Sequence, residues 1–109
     1  MLDYNLVYDR LLTTLAELST LLRSHGEMHW AEWIERSNEL ISAGDAYGLE
    51  KLLGAFGGMG SINDLVLREL NGHALAPSEE DGANGRLCNL LSSAFEDARA
   101  LKRSLDRQP

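Results

Sequence analysis

The densest group of residues with a chemical or conformational purpose is Phe56-Gly57-Gly58-Met59-Gly60-Ser61-Ile62-Asn63-Asp64. Glycine is favourable only where the backbone needs positive φ or close approach, and it costs entropy elsewhere. Backbone amides ahead of a helix can hold an anion. A phosphate loop needs more: lysine then serine or threonine after the last glycine, and a strand before the loop. Here Ser61 follows Gly60 directly, the preceding residues read as helix, and the dinucleotide pattern fails because position 63 is Asn. No nucleotide and no other cofactor is expected. Asn63 and Asp64 are the polar residues of the block. No histidine, lysine or second carboxylate stands at a local spacing that would make Asp64 a catalytic acid. Ser61 and Asp64 instead have the spacing of a capping box. No catalytic residue is assigned.

His25 and His29 are four apart, the spacing of two metal ligands on one helical face. Gly26 falls between them, where a helix is expected to end, and His73 lies in a loop, so no metal site is assigned. Cys88 has no cysteine to pair with, which fits a reducing compartment. Its place in a helical pattern reads as a small half-buried residue rather than a nucleophile.

The elements that must position these residues are helical. Leu2, Leu6, Val7, Leu11, Leu15, Leu18 and Leu22 recur at three- and four-residue spacing, giving a helix over 2–24 that stops at Gly26. A second helix begins near Glu27 or Met28 and ends at Ala43, its apolar face formed by Trp30, Trp33, Ile34, Leu40 and Ile41. Asp45 is an N-cap candidate for a short third helix carrying Leu49, Leu52, Leu53 and Phe56. Ile62, Leu65, Val66 and Leu70 predict a second short helix; no strand is visible to pair with the run if it were extended. After the Asn71-Gly72 turn, Ser78 to Asp81 resemble a helix start, with Gly82 and Gly85 delaying order to as late as Asn84. Leu87, Leu91, Ala94, Phe95, Ala98, Leu101 and Leu105 then form one stripe, and Arg99, Lys102, Arg103 and Arg107 suit the negative end of its dipole. The expected fold is all-α, one domain over 1–109: an antiparallel helical bundle of three long and two short helices.

The chain of 109 residues carries a net charge of −7. That balance argues against backbone-driven nucleic-acid binding and against anionic membrane surfaces. It suits a basic protein partner, because opposite fields steer association. No basic n-region or long apolar run marks a signal peptide or a membrane span, and a cytoplasmic location is expected. Trp30 and Trp33 share a helical face, one for the core and the other partly exposed as an interface anchor. Glu27, Glu32, Glu35 and Glu39 are candidates to charge the exposed side of the second helix. The candidate partner-binding set is therefore Trp30, Glu27, Glu32, Glu35, Glu39, Gly57, Gly58, Met59, Gly60, Asn63 and Asp64. Monomer and homodimer both stay open.

Trp33, Gly44-Asp45, Gly48, Leu52-Leu53, the block from Phe56 to Asp64, and the later Asn84, Leu87, Leu91 and Ala98 resemble a family of small acidic bacterial helical proteins of unknown function. The resemblance spans roughly 28–105, and the glycine block is its specific part. Such proteins are similar in size and acidity to immunity proteins that protect bacteria from their own toxins. The resemblance implies a non-catalytic binding protein that occludes a basic toxin domain. Two alternatives stand beside it: a small enzyme or ligand-binding protein using the glycine block and Asp64, and a structural or oligomerisation module in which the block is a close-packed corner.

Overall fold

The structure, a computed structural model, describes residues 2–107. Four α-helices follow in order: α1 (Tyr4–Ser24), α2 (Met28–Ser42), α3 (Tyr47–Leu53) and α4 (Glu80–Asp106). Single 3-10 turns occur at Ile62–Asp64, Glu69–Asn71 and Pro77–Glu79, and there is no strand among the described residues.

Each long helix starts on a carboxylate or a turn that satisfies its free amides. The Asp3 side chain accepts the N–H groups of Asn5 and Leu6 at the head of α1, and Glu27 accepts that of Trp30 at the head of α2. Before α4, Glu79 Oε1 accepts the Ala76 N–H at 2.9 Å. The α1 stripe Val7, Leu11, Leu15, Leu18 and Leu22 is buried, so α1 forms the spine of the core. Ala31, Ile34 and Ile41 of α2 meet it from one side, and Leu87, Leu91, Ala94 and Ala98 of α4 from the other. Truncating a fully buried leucine such as Leu15 to alanine costs roughly 2–5 kcal/mol.

Polar pairs fix the alignment. Tyr8 donates to the Ile41 carbonyl at 3.1 Å, while Arg23, near the other end of α1, forms a two-bond pair with Glu35. Arg10 grips the buried Asp97 carboxylate with bonds of 2.8 and 2.7 Å, and Arg86 reaches Glu17 at 3.4 Å. The short helix α3 presses on α2 at Gly48, where a Cβ would lie 2.7 Å from the Ile41 backbone nitrogen. Close helix approach in this fold depends on Gly48.

Four expectations need correction. The second short helix, predicted over Ile62 to Leu70, does not form. One 3-10 turn leads into an extended segment at 65–68. Side chains satisfy that segment's backbone: Asn84 donates to the Leu67 carbonyl at 2.9 Å and accepts the Leu67 N–H at 2.7 Å. On the opposite edge the Arg68 N–H meets His73 Nδ1 and the Val66 carbonyl accepts from Asn71. Ile62 and Leu67 are buried, while Val66 and Leu70 face solvent, so the apolar residues do not follow a helical period. Second, α4 starts at Glu80, within the expected Ser78–Asp81 start, and Gly82 and Gly85 do not delay it, because Asn84 is already bound within it to the Glu80 carbonyl and to Leu67. Third, Phe56 lies beyond the end of α3. Fourth, Cys88 is exposed.

Candidate functional site

The glycine block forms a closed loop. Its ends are fixed by the buried Ala55 and Ile62, joined by the Ile62 N–H to the Ala55 carbonyl at 2.9 Å. Gly57, Gly58 and Gly60 have φ of 89°, 82° and 78°, and a Cβ on any of them would meet nothing within 4 Å. These glycines are present for left-handed backbone, which costs other residues about 1–2 kcal/mol, and not for close packing. Close packing of two helices at the block is not what selects these glycines. At the loop's apex Met59 is fully exposed.

The capping box is also absent. Asp64 Oδ2 accepts the Gly60 N–H at 2.8 Å and braces the loop, whereas Ser61 makes no side-chain cap and its enclosed Oγ has no partner among the described residues. No side chain among the described residues hydrogen-bonds the Asp64 carboxylate.

Beside the loop lies an open groove of about 540 Å³. Phe56, Leu65, Leu87, Leu91 and Phe95 give it an apolar floor, and Asn63, Val66, Asp81, Cys88 and Ser92 contribute to its walls. Phe56 and Phe95 pack with ring centres 5.0 Å apart at one end. The Asn84–Leu67 amide pair joins α4 to the extended segment toward the Asp81 end. Asn63 lines this groove and Asp64 does not. An apolar floor bordered by uncharged polar groups and the single carboxylate of Asp81 suits binding by shape more than acid–base chemistry.

The remaining predicted residues are placed elsewhere. Trp30 and Trp33 are both half-buried, 5.5 Å apart between ring centres, with His29 edge-on to Trp30. The Trp33 indole donates to the Lys51 carbonyl at 2.8 Å, and the Lys51 ammonium lies 4.0 Å from its ring centre. Of the four glutamates, Glu32 and Glu39 are exposed. Glu35 is held by Arg23 and Ser19, and the Arg23 hydrogen bond, then that of Ser19, lowers its pKa to about 2. Glu27 is mostly enclosed between the Trp30 amide and His73.

The histidines act as staples. His25 Nδ1 donates to the Ala74 carbonyl at 2.8 Å, and the His25 carbonyl accepts the Ala74 N–H at 2.9 Å. The buried His73 takes the opposite tautomer: Nδ1 accepts from Arg68, so Nε2 donates to Glu27 at 3.2 Å. Together they tie the segment after the loop to the α1–α2 corner. Among the described residues no group of His, Cys, Asp and Glu could hold a metal ion, and no helix is long and apolar enough to cross a membrane.

Sequence reasoning missed the α4 wall of the groove, above all Asn84. Its signal was present: a carboxamide three residues before Leu87, in line with the apolar stripe.

Residues 23–76 match the model of a family described as a domain of unknown function (DUF6966). The match begins within two residues of His25 and ends within two of Ala74, the pair that closes this part of the chain on itself. It contains the Met59 loop and one wall of the groove; the α4 wall lies outside it. No curated protein and no solved structure matches the chain.

Proposed function

We propose that this protein is a non-catalytic binding module that recognises a protein partner through the Met59 loop and the groove beside it. One observation carries the reading: three left-handed glycines and a carboxylate brace maintain a loop whose product is an apolar side chain set in solvent. Contiguous exposed apolar surface marks interaction sites, and here the loop adjoins the apolar groove at Phe56. Loop residues held by a rigid scaffold are also where recognition concentrates.

In its fullest form the proposal is an antiparallel bundle in the cytoplasm that neutralises a cognate toxin by covering a basic surface, as an immunity protein does. The net charge of −7 and the exposed Glu32 and Glu39 support that form. The enzymatic alternative has less support, since Asp64 stands outside the groove and braces a backbone amide. The test is affinity capture from the native cell extract with wild-type, Met59→Glu and Glu32→Lys/Glu39→Lys baits. One stoichiometric protein that Met59→Glu fails to retain is the expected result. Equal capture by wild type and Met59→Glu overturns the assignment of the loop.

A further inference from the structure

The shape and charge of the groove restrict what can occupy it. One wall is α4 from Asp81 to Phe95, a run of about 21 Å at 1.5 Å per residue. The other is the chain from Phe56 through Asn63 to Val66. An extended peptide would gain affinity by adding to a strand edge. Here both edges of the extended segment are occupied: Leu67 by Asn84 on one side, Val66 and Arg68 by Asn71 and His73 on the other. A helix satisfies its own backbone and needs only the apolar floor.

The ends of the groove differ in charge. Asp81 lies at one end, next in sequence to Glu79 and Glu80 at the head of α4. Glu80 is paired with Arg68 at 4.0 Å, and the two remaining carboxylates outweigh the half positive charge of the α4 N-terminus. At the other end the Arg99 guanidinium lies 5.4 Å from the Phe95 ring centre. The negative end of α4 is well beyond the groove, at Asp106, and its field fades within a turn.

Resting on the partner-binding reading above, we propose that the groove receives one amphipathic helix of a protein partner. The helix is about four turns long, with its N-terminus at Asp81 and its C-terminus toward Arg99. Its apolar residues recur at i, i+3 and i+7, and basic residues in its first turn face Asp81.

Cys88 provides the readout, because it is exposed and lines the groove. The probe is a capped synthetic helix of about 15 residues with leucines at that period, lysines first and glutamates last. Controls are the same helix with lysines and glutamates exchanged, and a scrambled peptide without the period. Binding is followed by fluorescence anisotropy, and occupancy by the rate at which a thiol reagent modifies Cys88.

The lysine-first peptide is expected to bind saturably, slow Cys88 modification, and bind about fivefold tighter than the exchanged peptide. Asp81→Lys should reverse that order, and Val66→Glu should abolish binding while leaving the melting temperature unchanged. Equal binding by the scrambled peptide overturns the proposal. So does peptide binding that leaves Cys88 reactivity unchanged, or a groove closed by a second copy, seen as Cys88 protection that rises with protein concentration alone. Failure of all peptides, with Met59-dependent capture intact, refutes the helix and spares the partner-binding reading.

Discussion

Alanine at Gly48 would place its Cβ 2.7 Å from both the backbone nitrogen and Cγ1 of Ile41, and 2.9 Å from Leu40 Cβ. A backbone nitrogen cannot rotate away as a side chain can, so α3 must lift from α2. Overpacking of this kind costs roughly 1–3 kcal/mol, and the helix-propensity gain of alanine returns up to about 1. A backbone contact at 2.7 Å belongs at the upper end of that range, so Gly48→Ala is expected to lose about 2 kcal/mol net, or roughly 8–16 °C in Tm for a domain of this size. Two companions isolate the cause. Gly58→Ala has open space but a φ of 82°; the strain of about 1–2 kcal/mol is partly offset by the unfolded-state effect, leaving a loss of about 1 kcal/mol or less. Gly85→Ala has open space within α4 and should gain up to about 1 kcal/mol. Urea and thermal denaturation of the three variants read these values directly. A neutral or stabilised Gly48→Ala would refute the close approach of α3 to α2. A loss at Gly58 equal to that at Gly48 would return the block to a packing role.

Asn84→Ala should cost roughly 2–4 kcal/mol by leaving the Leu67 N–H and carbonyl unpaired, and faster hydrogen exchange at the Leu67 amide locates the damage. His73→Leu removes the acceptor of Arg68 and the donor to Glu27, with an expected loss of about 1–3 kcal/mol and reduced protection of the Arg68 amide. The Glu35 carboxylate titrates near 2 in the folded chain, against an ordinary 4.5. Its stabilisation is present above about pH 4.5 and is lost as pH falls toward 2. Denaturation at a series of pH values should show Glu35→Gln destabilised near neutrality, with the gap from wild type closing through that interval; a gap independent of pH would contradict the Arg23–Ser19 clamp.

The three long helices were legible because leucines at helical spacing report burial on one face, and Val7 to Leu22 of α1 and Leu87 to Ala98 of α4 do so without interruption. The segment from Ile62 to Leu70 was not. Its order comes from side chains distant in sequence, Asn84 above all, and no local period encodes a carboxamide pairing with a backbone 17 residues away. The histidines illustrate the same limit. His25 and His73 are far apart in the chain, yet both staple the loop-bearing segment to the α1–α2 corner. The glycine block was legible as a constraint, but its kind was not. Left-handed backbone and close packing both select glycine, and coordinates were needed to assign the first to Gly57, Gly58 and Gly60 and the second to Gly48. The groove needed tertiary structure too, because its walls come from opposite sides of the Asn71-Gly72 turn.

The proposed partner is bound at the Met59 loop and its groove. A photo-reactive methionine analogue incorporated at position 59 alone tests it most directly, by irradiation in the native extract and sequencing of the cross-linked product. One dominant protein adduct is expected, suppressed by Val66→Glu on the groove wall. Adducts spread over many abundant proteins, or a single adduct unaffected by Val66→Glu, would contradict it.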